Sequence, residues 1–321
     1  MKILCITPID HIPGIKKLLS SLGELTIFPD PTVEDISNMK KDFNIIFTNP
    51  NKSKIYIGKD LFSDWNNLSC ICTASTGTVH IDKNFLSEKQ IKLISLTKEY
   101  DVIRTISSTS ELAFTLMMAS LRKLLPANKS VKQEIWDYEL FVGRQMDKLN
   151  ICVFGYGRLG SMFANYSKAF GSKVFAYDPY KDIPDKFVEI TSIDNSLKEI
   201  DVLSIHMHVN DETKNFFDKD FFKKLKPTVL IINTSRGELV NEDDLIDFLK
   251  ENPKAMIASD VLSGEIFGFE KSKLYQYSKE SSQVLLTPHI GGMTIDAQEI
   301  AYTHASNLLI SYIKKAKDLS Q

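Results

Sequence analysis

The run Ile151-Cys152-Val153-Phe154-Gly155-Tyr156-Gly157-Arg158-Leu159-Gly160 limits this chain's possible folds more than any other segment. Its four apolar residues read as a buried strand, and the G-x-G-x-x-G spacing turns that strand sharply into a helix. Gly155 makes the tight turn, Gly157 leaves the backbone bare, and Gly160 lets helix and strand pack closely. Ser161–Phe170 reads as the helix, with Gly171 closing it. A βα step of this kind buries both faces of its strand, so it requires a parallel sheet around it.

That sheet is legible on both sides of the glycine run. Upstream, short apolar runs at Lys2–Thr7, Glu24–Phe28, Asn44–Asn49, Ser69–Ser75 and Lys92–Leu96 read as strands. They alternate with helical patterns near Pro13–Ser21, Val33–Lys41 and Gly58–Trp65. Downstream, strands are expected at Asn150–Phe154, Lys173–Tyr177, Val202–His206, Thr228–Asn233, Ala255–Ser259 and Gln283–Thr287. Between the two series a helix opens at Ser108, where Ser108-Thr109-Ser110-Glu111 has capping-box spacing and the apolar run Leu112–Leu125 follows. Thr294–Ile313 carries apolar residues at helical spacing and reads as an amphipathic helix packed back on one of the domains. A chain of 321 residues exceeds what one core usually holds, so two α/β domains are expected.

Charge and cysteine content exclude several classes of function. Net charge is −2 and the basic residues are scattered, which argues against a nucleic-acid or acidic-membrane partner. No stretch approaches the roughly 20 apolar residues of a membrane span, and the first residues are too short an apolar run for a signal peptide. Cys5, Cys70, Cys72 and Cys152 lie in strand-like runs without zinc or redox spacing, which suggests reduced, buried thiols, a cytoplasmic setting and no metal site.

A phosphate placed at the glycine turn would meet free N–H groups and the positive end of a helix dipole. The next strand ends in Asp178, 18 residues beyond Gly160, where a carboxylate can accept from both ribose hydroxyls of an adenosine. The same charge would repel a 2′-phosphate, so the expected cofactor is NAD rather than NADP. Three further side chains sit just past later strands: Arg236 in Asn233-Thr234-Ser235-Arg236-Gly237, Glu265 after Asp260-Val261, and His289 before Gly291-Gly292. Reducing a ketone that carries a carboxylate needs a two-pronged cation, a proton donor and a group that holds that donor in its acid form. Arg, His and Glu meet those needs in turn, since a carboxylate bonded to an imidazole favours its protonated form and fixes its tautomer.

With these residues in place, the chain resembles the D-isomer-specific 2-hydroxyacid dehydrogenases over nearly its whole length. Asn233–Val240 is similar to the family's arginine signature, which implies that Arg236 anchors the substrate. Asp260–Glu265 is similar to the aspartate–glutamate signature, implying that Asp260 holds the nicotinamide carboxamide and Glu265 partners the histidine. Thr287–Thr294 is similar to the histidine signature and implies His289 as proton donor. Ala74–Thr78 resembles the loop that receives the substrate carboxylate, through Ser75, Thr76 and Gly77.

The cofactor set implied is Gly155, Gly157, Arg158, Leu159, Gly160, Asp178, Thr109, His206, Thr234, Ser235, Asp260 and Gly292. The resemblance also implies two Rossmann-like, doubly wound parallel-sheet domains with the active-site cleft between them. A discontinuous substrate domain would comprise 1–106 plus 293–321, with an NAD-binding domain at 107–292. It further implies a homodimer whose arm is Leu121–Val142, with Trp136 and Phe141, although a helix buried within one chain would also account for those aromatics. Departures from the family pattern are His208 and Ile266 where proline is usual, and Asp147-Lys148-Leu149 without the usual glycine. None removes a reacting group.

The function expected is hydride transfer between NAD and C2 of a small D-2-hydroxy acid or 2-keto acid. The alternative is an NAD(H)-sensing binding module without significant turnover, like the family's corepressor relatives. Lys52 and Lys54 offer cations for a phosphorylated substrate, with plain solvation as the competing account.

Overall fold

The computed structural model describes residues 1–49, 55–193 and 197–318, so Lys52 and Lys54 lie outside the described residues. The chain divides into two compact units: Met1–Ile106 together with the segment from Met293 onward, and Ser107–Gly292.

In the first unit, strands β1 (Lys2–Cys5), β2 (Glu24–Ile27), β3 (Ile45–Thr48), β4 (Cys70–Thr73) and β5 (Lys92–Ile94) form one sheet in the order β2-β1-β3-β4-β5. Every pairing in it is parallel. β3 and β4 are buried along their whole length, which is why they read as unbroken apolar runs instead of alternating ones. Alternate residues still divide between the faces. Ile3 and Cys5 join Leu19, Tyr302 and Leu309 in one core, while Leu4 and Ile6 join Phe62, Trp65 and Phe85 in the other. The C-terminal helix Ile295–Asp318 covers the first face, so it packs on the unit formed by the chain's start.

In the second unit, β6 (Asn150–Phe154), β7 (Lys173–Tyr177), β8 (Val188–Glu189), β9 (Val202–Ile205), β10 (Leu230–Asn233), β11 (Met256–Ser259) and β12 (Val284–Leu286) form a second parallel sheet. Its order is β12-β11-β10-β9-β6-β7-β8, and the winding direction reverses between β6 and β9. Cys152 and Phe154 face a core with Phe217 and Leu245, whereas Ile151 and Val153 face Ala113, Met117 and Phe163. Both units are therefore doubly wound, and the arrangement expected of the sheets is the one observed.

Two local expectations need correcting. The helix after the first unit spans Ser108–Leu121, but its N-cap is Ser107, and no side-chain cap forms. Glu111 takes its hydrogen bond from the Ser107 hydroxyl at 2.5 Å, while the Ser108 hydroxyl is buried without a partner. The Ser107 hydroxyl, one residue earlier, thus outcompetes the expected box. The apolar run beyond it is also not one helix: Lys123 takes a left-handed φ of 49°, and a new helix, Leu124–Lys132, begins. Pro126 lacks an N–H and is tolerated in a first turn but not in a helix interior, so the break precedes it. Short helices at Lys83–Glu88 and Tyr100–Ile103, and the edge strand β8, were not expected from the sequence. All four cysteines are buried and free, and among the described residues no helix is long and apolar enough to cross a membrane.

Candidate active site

Parallel pairing puts the carboxyl ends of β6, β7, β9, β10, β11 and β12 along one edge of the second sheet. Each of these strands is followed directly by sequence-selected residues. From one end of the edge to the other come His289 after β12, Asp260 and Glu265 after β11, and Thr234–Arg236 after β10. His206 follows β9, Gly155 follows β6, and Asp178 follows β7. Neighbouring strands are about 4.8 Å apart, so the five steps from β12 to β7 cover about 24 Å. Such an edge, at a reversal of winding, is where open α/β sheets bind ligands.

At the glycine turn Gly155 has φ +93°, and a Cβ there would lie 2.7 Å from the His206 carbonyl oxygen. Gly160 presses the helix Arg158–Ala169 onto the strand so closely that a Cβ would stand 2.0 Å from the Gly155 oxygen. A buried methyl gains only about 0.8 kcal/mol, less than such overlap costs. By contrast, nothing lies within 4 Å of the place a Gly157 Cβ would take, and the helix has no side-chain cap. The turn therefore leaves bare backbone at a helix start that no capping side chain covers, as a pyrophosphate requires. Burial of the Arg158 guanidinium beside it lowers its pKa. The Leu159 carbonyl accepts from Ser110 at 3.0 Å, seating the helix that starts at Ser108 against the turn. The nearby Thr109 side chain abuts Gly291, the residue before Gly292.

Asp178 is half-buried, and its Oδ1 accepts from the Tyr180 N–H at 2.9 Å. That bond makes it a turn former, yet it occupies one oxygen only. Thr234 is buried with its hydroxyl unpartnered, an orphan beside the same edge that a bound ligand could satisfy. The Ser235 hydroxyl donates to the Met207 carbonyl. His206 lies against Phe163, ring centroids 5.3 Å apart, with Nε2 2.8 Å from the Ser204 hydroxyl. Burial pushes its pKa down to about 3.

The Arg236 segment is held by the Asn233 side chain. Asn233 Nδ2 donates to the Arg236 carbonyl at 3.0 Å, and Ser235 N–H donates to Asn233 Oδ1 at 3.0 Å. The half-buried guanidinium donates to the Ser235 carbonyl at 2.7 Å and has no carboxylate partner among the described residues. Its neighbour Gly237 explains how this segment meets the next one. A Cβ on Gly237 would stand 2.1 Å from the Leu262 carbonyl carbon, so only glycine permits the approach. Glu238 accepts from the Gly264 N–H at 3.2 Å and Glu242 from Ser263 N–H at 3.2 Å. Neither glutamate stood out in the sequence, and only the pairing of β10 with β11 reveals their role. Arginine and glutamate loops are thereby locked together.

Glu265 opens the short turn Glu265–Phe267 after Gly264 at φ +66°. One oxygen accepts from the Leu262 N–H at 3.0 Å, and the other is hydrogen-bonded to Nδ1 of His289. With Nδ1 engaged, Nε2 remains for exchange with a ligand. His289 has φ +54°, an uncommon conformation for a residue other than glycine. Asp260, 1% exposed, accepts from the Thr287 hydroxyl at 2.6 Å, the Ile290 N–H at 2.8 Å and the Gly291 N–H at 2.8 Å. Burial raises its carboxyl pKa, and those bonds together with His289 oppose the shift.

In the first unit, Ser75, Thr76 and Gly77 form a turn at the carboxyl end of β4. The Ser75 hydroxyl donates to the Gly77 carbonyl at 2.7 Å, and the Thr76 carbonyl accepts from Thr97 at 2.8 Å. At that sheet's own reversal, between β1 and β3, the buried Tyr302 hydroxyl lies 2.9 Å from Thr7 and also bonds Asn49.

Residues 114–291 match the family described as D-isomer specific 2-hydroxyacid dehydrogenase, NAD binding domain, and the chain belongs to that family, with NAD as its cofactor. It is 29% identical over 300 residues to the D-3-phosphoglycerate dehydrogenase of Synechocystis sp., covering 92% of this chain and 51% of that one. Against the hydroxypyruvate reductase of Thermotoga maritima it is 29% identical over 256 residues, 77% of this chain and 78% of the relative. The chain thus spans about half the length of the first relative. Among solved structures, the D-lactate dehydrogenase of Aquifex aeolicus complexed with NAD and lactic acid has the same fold, at TM-score 0.78 and 24% identity over 99% of this chain and 97% of that one.

The neutral state of His206 has a consequence for acid stability. The unfolded chain takes up this proton near the ordinary value of 6.5, while the folded state resists until about 3. Stability is therefore unaffected above that range and falls with pH inside it. His206→Gln is expected to flatten the fall in denaturation midpoint between these pH values in the cofactor-free protein, and equal slopes would contradict the assignment.

Proposed function

We propose that this protein transfers a hydride between NAD and C2 of a small D-2-hydroxy acid or 2-keto acid. The observation that carries the reading is the Glu265–His289 pair standing beside the locked arginine loop at the sheet edge that holds the glycine turn. When bound there, NAD supplies or accepts the hydride. Arg236 grips the substrate carboxylate through two parallel hydrogen bonds, for which its guanidinium has no competing carboxylate among the described residues. Its positive charge also stabilises the oxygen at C2 as electrons arrive. His289 donates its Nε2 proton to that oxygen, so the ketone, a hydride and a proton together give the alcohol. Glu265, bonded to Nδ1, holds the ring's tautomer and supports the positive charge of the imidazolium before transfer. Water then returns a proton to Nε2. In the first unit, the N–H groups of Ser75, Thr76 and Gly77 are proposed to receive a substrate carboxylate.

Oxidation of NADH by the purified protein, with hydroxypyruvate, glyoxylate, pyruvate and 3-phosphohydroxypyruvate offered in turn, tests this reading. His289→Asn and Arg236→Lys are each expected to lower turnover about 10²–10⁴-fold. Near-normal rates in both variants would defeat the assignment.

We also propose a homodimer formed through the segment after the helix Ser108–Leu121. Leu124, Val131, Trp136, Tyr138, Leu140 and Val142 are all at least half exposed there, and Trp136 is 87% exposed. The exposed Trp136 favours an interface over a helix buried within one chain, whereas Phe141, the other aromatic of the expected arm, is half-buried. Contiguous exposed apolar surface commonly marks an interface. Light scattering is expected to give twice the chain mass of 36.4 kDa, falling to one chain in Trp136→Lys, and a monomeric native protein would refute the dimer.

A further inference from the structure

Three successive carbonyl groups of the turn Ser75–Gly77 are each claimed by a donor of the same unit. The Leu96 N–H donates to the Ser75 carbonyl at 3.0 Å, the Thr97 hydroxyl to that of Thr76 at 2.8 Å, and the Ser75 hydroxyl to that of Gly77 at 2.7 Å. No peptide bond among the described residues is cis, and in a trans peptide the C=O and the next residue's N–H point opposite ways. Holding those three carbonyls therefore fixes the N–H groups of Thr76, Gly77 and Thr78, which point away from the clamps.

Behind two of the clamps stand hydroxyl relays whose direction is dictated by proton count. A hydroxyl has one proton to give, and a carbonyl can only accept. The Ser75 proton is committed to Gly77, so towards the Thr73 hydroxyl, 2.9 Å away, Ser75 accepts. The Thr73 proton is committed in its turn, which makes His80 Nε2, 3.4 Å from Thr73 Oγ1, the donor. On the other side the Thr97 proton goes to Thr76, so the Ser95 hydroxyl at 3.0 Å donates to Thr97. Thr73 and His80 are 0% and 2% exposed, so bulk water does not compete for their contact. The His80 carbonyl accepts from the Ile57 N–H at 2.9 Å, and Ile81 pairs with Ile57. The main chain there thus has anchors that do not depend on the imidazole.

We infer that His80 is a positioning residue for substrate binding. Through Thr73 and Ser75 it sets the Gly77 carbonyl, and hence the Thr78 N–H, to meet a substrate carboxylate. The inference rests on the reading proposed above, that this turn receives the carboxylate, and adds Thr78 to its donors.

His80→Leu removes the first donor of the relay. KM for the 2-keto acid is expected to rise about tenfold, the scale of one buried hydrogen bond, with kcat within about threefold of native. NADH affinity, read by fluorescence titration, is expected to be unchanged, because the glycine turn belongs to the other unit. A merely structural defect would lower the amount of active protein, and with it kcat, but not raise KM. His80→Gln returns an N–H donor and is expected to restore KM to within about threefold of native. Should His80→Leu not fold, Thr97→Val at an exposed position breaks the opposite clamp and is expected to raise KM likewise. Imidazole nitrogen NMR, which needs no substrate, reads the relay directly. A proton on Nε2 of His80 is expected, and a bare Nε2 would overturn the inference. An unchanged KM in His80→Leu, or one as high in His80→Gln as in His80→Leu, would overturn it too. Native protein that turns over none of the keto acids would instead sink the proposed function and leave the nitrogen measurement standing, so the two failures are distinguishable.

Discussion

Parallel pairing of β6, β9, β10, β11 and β12 is the constraint on which the candidate site depends. Each pair is in register over three or four residues, so no strand can slide without exposing a whole face of the core. Because all run the same way, the loops after them share one edge. Residues scattered from Gly155 to His289 in the sequence thus become neighbours along a line. Packing against Phe217 on one face and Met117 on the other holds the line rigid, as a site that must position a proton to within a fraction of an ångström requires.

Along that edge, bare backbone and carboxylates have separate duties. At Gly157 the absence of a side chain leaves room for phosphate, and at Gly237 it allows the arginine loop to touch Leu262. Carboxylates do the opposite, filling space with acceptors: Glu242 for Ser263, Glu238 for Gly264, Asp260 for the histidine turn. Removing an acceptor from a buried donor leaves that donor unsatisfied, so the bond from the Gly291 N–H to Asp260 resists loosening more than its net strength suggests.

Much of this was legible in the sequence where a residue acts locally. β6 and β7 have the expected bounds, because unbroken apolar runs between glycine and aspartate admit one reading. Failures came where several residues offered the same service, as at Ser107, Ser108 and Ser110, which compete to start one helix. β8 spans two exposed residues and carries no periodic signal. Contacts of Asp260 were invisible for another reason. Two of its three partners are backbone N–H groups about 30 residues on, and only the β11–β12 register brings them within reach.

The most direct test of the proposed chemistry follows the hydride itself. With NADH carrying deuterium at the transferred position and a 2-keto acid as acceptor, the product is isolated and its C2 configuration and label are measured. The expected product is the D-2-hydroxy acid with deuterium on C2. An L or racemic acid, or a D acid without the label, would contradict hydride delivery at this site.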